Sequence, residues 1–259
     1  MAAYDFSAPR LFLDVPLSEG LRHSLDRAQA NYLLTVLRRT EGEPVLVFNG
    51  RDGEWRAEIV PTGRKAADLV LRERTRPQTP PGDLHYLFAP LKAARLDYVA
   101  QKAVEMGASV IRPVLTRRTQ GDRIKPERLR ANAIEAAEQC GILALPEIRE
   151  AATLAAALAE TEPERLVVFC DEDAPVADPI EALRRAGATG GGPGRNARPR
   201  LAVVIGPEGG FTPEERGLIL ERPGTVRLSL GPRILRADTA AVAVLALVQA
   251  VLGDGRPAA

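Results

Sequence analysis

Two Gly-Pro turns carry the residues best suited to chemistry. The first, Gly206-Pro207-Glu208-Gly209-Gly210, ends the apolar run Leu201–Ile205. The second, Gly231-Pro232-Arg233, follows Val226–Leu230 and leads through Ile234 and Leu235 to Arg236 and Asp238. Glycines bend a backbone and bring its N–H and C=O groups against a ligand with no Cβ in the way. Glu208 reads either as a solvated turn residue or as the partner of a polar group on a ligand. Arg236 is a permanent cation with a fork of donors, suited to a phosphate or a carbonyl and unable to act as a base. Asp238 reads as a helix cap or as a proton acceptor. Cys170 and Asp171 end another apolar run, as pocket-lining groups or as an ordinary buried thiol and loop acid. No familiar phosphate motif fits. The first loop has neither the Gly-Lys-Ser/Thr ending of a P-loop nor G-x-G-x-x-G spacing.

The elements around these turns say how they are held. Leu201–Ile205 lacks polar alternation, as a strand covered on both faces does. Thr212-Pro213-Glu214-Glu215 forms a capping box, with Thr212 as N-cap, Pro213 at the first helical position and Glu215 reaching back. Asp238 is the expected N-cap of a last helix, Asp238–Leu252, apolar nearly all round and so expected to be buried, within the chain or against a second subunit. Ligands of open α/β sheets sit beyond the carboxyl ends of strands, where both turns fall.

Residues 1–75 contain short strand-like runs (Arg10–Val15, Pro44–Phe48, Glu54–Val60, Ala67–Glu73) and one helical pattern, Ser24–Leu37, as in a small β-barrel-like module. A proline-rich linker, 76–83, follows. From 84 to 259 strand and helix alternate, which implies an α/β domain with a mostly parallel sheet. Strands are expected near Leu84–Leu91, Val110–Leu115, Glu147–Arg149, Leu166–Cys170, Leu201–Ile205 and Val226–Leu230. Helices are expected near Ala94–Met106, Pro126–Cys140, Thr153–Glu160, Pro179–Arg185 and Pro213–Leu220, besides the last one.

Composition narrows the function classes. The 259 residues carry a net charge of +1, so any nucleic-acid surface must be local. Two cysteines and two histidines offer no metal-ligand spacing, no disulfide framework and no Ser-His-Asp relay, so no metal is expected. The N-terminus lacks the layout of a signal peptide, and the most apolar stretch is too short to span a membrane, which points to the cytoplasm. The stretch Arg112–Arg130 is rich in arginine, including Arg117, Arg118 and Arg123. It reads as a phosphate-facing surface, extended by Arg10, Arg38 and Arg39, although charge runs are commonly just solvated.

Taken together, "IGPEGGFTPEE", "LSLGPRILRADTA", "QKAVEMGASVIRPVLTRRT" and "AIEAAEQCG" resemble the ribosomal RNA small-subunit uridine N3-methyltransferases of the SPOUT, trefoil-knotted superfamily. The resemblance covers nearly the whole chain. It implies a PUA-like RNA-binding β-barrel domain followed by a SPOUT methyltransferase domain with a C-terminal knot. It also implies S-adenosylmethionine as methyl donor, a homodimer, and a target uridine of 16S rRNA in the 30S subunit, uridine 1498 in the usual numbering. The donor-binding residues it implies are Ile205, Gly206, Glu208, Gly209, Gly210, Leu230, Gly231, Ile234, Leu235, Thr239 and Cys170. For a uracil substrate the chemistry of Arg236 makes it the candidate to stabilise charge on the carbonyls, and proton removal falls to Asp238, Glu208 or solvent, among which the sequence does not choose. One departure is Ile142, where the family commonly has Arg after its Glu-Gln-Cys/Ser-Gly motif. A non-catalytic RNA-binding assembly factor with the same fold, and an unrelated nucleotide-binding enzyme, are the competing readings.

Overall fold

The computed structural model describes residues 7–119, 124–175, 178–189 and 198–255. The chain divides into two units: Met1–Pro80 with Ile134–Leu145, and Pro81–Ala133 with Pro146–Ala259. The expected boundaries at 75 and 84 made no provision for the return of 134–145 to the first unit.

The first unit is a five-stranded, mostly antiparallel sheet in the order β1-β3-β4-β5-β2, built from β1 (Arg10–Phe12), β2 (Arg22–Ser24), β3 (Pro44–Phe48), β4 (Glu54–Gly63) and β5 (Ala66–Arg76). Val45, Val47, Ala57, Ile59, Leu69 and Leu71 point to one core, as the period of two in a strand requires. The helix expected over Ser24–Leu37 is shorter and divided. Ser24 belongs to β2, where its hydroxyl and Arg22 both bond Asp68. Asp26 then caps α1 (Arg27–Asn31) in a capping box with Gln29, and a π-turn follows over Tyr32–Val36.

Two arginines sit where the sequence reading did not place them. Arg76, expected in the linker, is the last residue of β5, and Arg10, expected to face RNA, is 6% exposed. Both bind buried Glu54, Arg10 at 2.8 Å and Arg76 at 2.7 Å. Burial alone would raise the pKa of Glu54, but the hydrogen bonds from Arg76, Arg10 and Thr75 outweigh it and hold the carboxylate ionised. Arg10 is therefore no phosphate ligand. Arg76 also donates to the Gly141 carbonyl at 2.8 Å, and the Phe12 amide donates to Glu138 at 2.8 Å. Those two bonds fasten 134–145 to this unit.

The second unit is built on a parallel sheet in the order β12-β10-β11-β6-β7-β8, with β9 paired to β7. Its elements are β6 (Leu84–Phe88), α2 (Ala93–Glu105), β7 (Val110–Leu115), the start of α3 (Pro126–Cys140), β8 (Glu147–Ile148), β9 (Ala152–Thr153), α4 (Leu154–Ala159), β10 (Leu166–Cys170), α5 (Pro179–Thr189), β11 (Leu201–Ile205), α6 (Pro213–Leu220), β12 (Thr225–Leu228) and α7 (Ala237–Val251). Val167, Phe169, Ala202 and Val204 pack with Leu154, Leu158 and Ile219 of α4 and α6. Helices α2 and α5 pack with α7, which lies on β11. The polar-free runs of β10 and β11 thus follow from cover on both faces.

The capping box of α6 is present as read, with Thr212 as N-cap and Pro213 opening the helix. The start of α7 differs. Its N-cap is Arg236, and Asp238 lies in the first turn, where its carboxylate accepts the Thr239 amide at 2.9 Å. An acid there still favours the positive helix end. Within the chain α7 buries one stripe, Ala237, Ala241, Val244, Leu245 and Val248, while Ala246 and Ala250 are exposed.

Candidate active site

The amino and carboxyl ends of the parallel sheet have opposite characters. At the amino ends, buried Arg165 is saturated: it bonds Asp83 at 2.6 Å, Glu162 at 2.8 Å and the Leu201 carbonyl at 3.0 Å. At the carboxyl ends of the neighbours β12, β10, β11 and β6, four loops emerge together, and among their residues Lys92 and Arg236 are exposed.

Two glycines of the loop after β11 are required, for different reasons. A Cβ on Gly206 would lie 2.5 Å from the Phe211 ring, so packing requires glycine there. Gly210 has a φ of +67°, and its Cβ would come 2.9 Å from a Glu172 oxygen. At Gly209 the neighbour is the Arg118 side chain, which donates to the Gly209 carbonyl at 2.7 Å. Ile205, at the strand end, is buried and its carbonyl takes the Ala89 amide at 2.9 Å.

Glu215 joins this loop to the turn after β7. One of its carboxylate oxygens accepts the Thr212 amide at 3.0 Å and the other the Arg117 amide at 2.7 Å. Arg117 and Arg118 are exposed beside it.

Glu208 pairs with Arg95 of α2, and the same guanidinium lies 3.9 Å from Asp238. Arg95 thus links the first Gly-Pro loop to the start of α7. Sequence reasoning passed over Arg95 and Lys92. The available signal was a pair of cations three residues apart, directly after the β6 strand end.

The loop after β12 presents Leu230 and Leu235 half-buried and Gly231 at a φ of +102°. Ile234 is 96% exposed, an apolar side chain held in the open. Thr239 and Arg236 are exposed as well; the Arg236 carbonyl accepts the Ala240 amide at 2.8 Å, while the Arg236 side chain makes no hydrogen bond or ion pair among the described residues.

Beyond β10, Asp171 is buried and bonded to Arg227 at 2.7 Å and Arg216 at 3.2 Å. Its carboxylate lies within 4.8 Å of those of Glu172 and Asp173, but Arg216 pairs with all three. The cluster is thus occupied by Arg216 and Arg227. Burial, with the Asp171 charge behind it, raises the Cys170 thiol far above its ordinary pKa, so it offers an apolar wall and no thiolate. The Tyr86 hydroxyl is raised likewise, by burial first and then by Cys170 and Asp238.

The basic residues separate into two groups. Arg112 is buried against Glu160 at 2.5 Å, Arg128 is clamped by Asp97 at 2.6 Å, and Arg39 bonds Glu43 and the Ser7 carbonyl. Arg38 is exposed, with a φ of +54°. Arg123 lies outside the described residues. Ile142 is half-buried in the first unit, its amide on the Ala137 carbonyl.

A mostly parallel sheet with ligand-suited loops at its carboxyl edge, preceded by a small, mostly antiparallel sheet, is the framework of a ligand-binding α/β protein. A family model described as RNA methyltransferase domain matches residues 78–249, and one described as RNA methyltransferase PUA domain matches residues 25–72. The ribosomal RNA small subunit methyltransferase E of Rickettsia conorii is 30% identical, over 93% of this chain and 94% of that one. Its counterpart from Synechocystis is 30% identical over 88% of this chain and 73% of that one. The crystal structure of the Neisseria gonorrhoeae enzyme of that name, bound to S-adenosyl methionine, matches with a TM-score of 0.79 at 25% identity, covering 96% of this chain and all of that one. The chain belongs to this RNA methyltransferase family, in the branch of the ribosomal RNA small subunit methyltransferases E. No helix among the described residues is long and apolar enough to cross a membrane.

Proposed function

We propose that this protein transfers a methyl group from S-adenosylmethionine to N3 of one uridine in 16S rRNA, uridine 1498 in the usual numbering, on the 30S subunit. It acts as a cytoplasmic homodimer with a C-terminal knot, in which the PUA-like domain, 1–75, grips RNA and the domain 84–259 carries the chemistry. The observation that supports this most is the placing of both Gly-Pro loops at one sheet edge. Only β10 separates β11 from β12, so the loops start about 10 Å apart at ordinary strand spacing, a span that suits a nucleoside.

The residues fit that donor. Gly210 and Gly231 have positive φ, which turns backbone groups toward a ligand where a side chain would be strained. Leu230, Ile234, Leu235 and Cys170 supply apolar walls, as small-molecule pockets do. Ile205, Gly206, Glu208, Gly209 and Thr239 complete the proposed set. When bound, the donor supplies a methyl group already activated on a sulfonium, so the protein's work is positioning and charge control.

N3 of uracil is a nucleophile only after losing its proton. Arg236, exposed and unpaired at the N-cap of α7, is the cation placed to stabilise the charge that develops on the uracil carbonyls. Asp238, in the first turn of α7 and near Arg95, is the acceptor assigned to the proton. Arg38, Arg39, Arg117, Arg118 and Arg123 remain the proposed RNA contacts.

Incubating unmodified 30S particles with radiolabelled donor and mapping the product base tests the reading. Methyl-3-uridine at a single 16S position is the expected result. Donor binding without transfer would instead support the assembly-factor role, and methylation elsewhere would remove the N3 assignment.

A further inference from the structure

The start of α2, the turn after β7 and the Pro207–Gly209 segment enclose a narrow cleft beside the first Gly-Pro loop. Lys92, Arg95 and Arg118 reach it from two separate segments, against a single acid, Glu208. These cations are not equivalent. Lys92 is exposed and has no ion pair among the described residues. Arg118 gives one donor to the Gly209 carbonyl and has no carboxylate partner there either. Arg95 is occupied, sharing its guanidinium between Glu208 and Asp238. The remaining lining, Pro90, Leu91 and Pro207, is apolar and rigid. Helix α2 enters the cleft with no side-chain cap and no acid in its first turn, so nothing on that helix end competes with an incoming anion.

A cleft with two open cations, and a third held by internal acids, is built for an anion with several oxygens. We infer that it seats a phosphodiester of the RNA strand next to the nucleotide being methylated. Lys92 and Arg118 are its standing ligands, and Arg95 turns to it when the phosphate displaces Glu208. This rests on the proposed reaction and deepens it. Three features favour phosphate. The forked donors of Arg118 and Arg95 match phosphate oxygens, and Lys92 adds a mobile point charge. The position beside Gly209 is adjacent to the proposed donor loop, as the backbone of a reacting nucleotide must be. The exchange of Glu208 for phosphate also keeps the Arg95 charge paired at every stage, while the Glu208 side chain, already 54% exposed, is released to water. The other anion within reach is the carboxylate of the donor's methionine part, and the test separates the two.

The test uses the full-length protein with Lys92→Gln, Arg118→Gln and the double variant, on unmodified 30S particles and a uridine-containing 16S fragment. For the phosphodiester seat, the double variant raises KM for RNA about tenfold and leaves donor affinity by calorimetry within twofold of wild type. Its log-log salt slope for RNA binding falls by about 0.7 for the one single-strand phosphate lost. Arg118→Lys keeps the charge and restores most of the slope. Donor affinity falling while the RNA slope is unchanged would overturn the inference in favour of the methionine carboxylate. Unchanged KM and slope would overturn it outright, with the methyltransferase reading intact wherever turnover persists. No methylation by wild type would instead strike the proposed function itself, while the RNA slope still reports on the cleft.

Discussion

The Glu215 carboxylate accepts the backbone amide of Arg117 at 2.7 Å, from 98 residues away in the chain. With its other oxygen on Thr212, one buried acid fixes both the mouth of the Gly-Pro loop and the basic turn beside it. Glu215→Ala removes a helix cap and leaves a part-buried amide without its acceptor. The expected loss is about 2–3 kcal/mol in denaturant unfolding. Hydrogen exchange at the Arg117 and Thr212 amides should quicken more than elsewhere. Equal exchange across the unit would mean that Glu215 acts only on global stability.

Gly210→Val tests the donor loop. A β-branched residue at a φ of +67°, with its Cβ 2.9 Å from Glu172, has to move the backbone. Donor binding should be lost in calorimetry while circular dichroism shows both sheets intact. Unchanged affinity in the folded variant would remove Gly210 from the donor site.

Arg236→Lys separates catalysis from architecture. The N-cap position makes no side-chain cap bond, so fold and donor affinity should survive. Losing the forked contact to a developing charge should remove roughly 3 kcal/mol of transition-state stabilisation, about a hundredfold in rate. Single-turnover methylation at saturating donor and RNA measures it. A near-wild-type rate would sink the catalytic assignment.

His85 gives the pH dependence a specific site. Burial first, and then the Arg165 charge, lower its pKa from 6.5 to about 4. The unfolded chain therefore takes up this proton before the folded one does, so stability falls as pH drops from about 6.5 toward 4. This residue alone should remove about 2 kcal/mol between pH 7 and pH 5. The increment should vanish in His85→Leu, and the imidazole resonances should titrate near 4. Titration close to 6.5 in the native protein would refute it.

Much of the fold was legible because its long elements carry their own boundaries. Leu201–Ile205 and Pro44–Phe48 are apolar runs closed by glycine, proline or asparagine, and Pro213–Leu220 opens on a capping box. β2 and β9 were not legible. They are two or three residues long and exist because β5 and β7 offer them partners. The site divides in the same way. The Gly-Pro loops announce themselves locally, whereas nothing local distinguishes Arg10, buried on Glu54, from Arg118, open to solvent. Arg95 was passed over because its partner Glu208 lies 113 residues away. Charge type is written in the sequence, but whether a charge is spent internally is decided by the tertiary fold.

The bond from Phe12 to Glu138 also sets a schedule for synthesis. The two residues are 126 positions apart, and 134–145 belongs to the first unit. At ordinary elongation rates a ribosome takes about 6 to 25 s to travel that distance. The amino-terminal sheet is thus translated early but finished late. Through that interval the Phe12 amide on the β1 edge waits for an acceptor that has yet to leave the exit tunnel. Arg76, already on Glu54, waits for the Gly141 carbonyl over the last 65 positions.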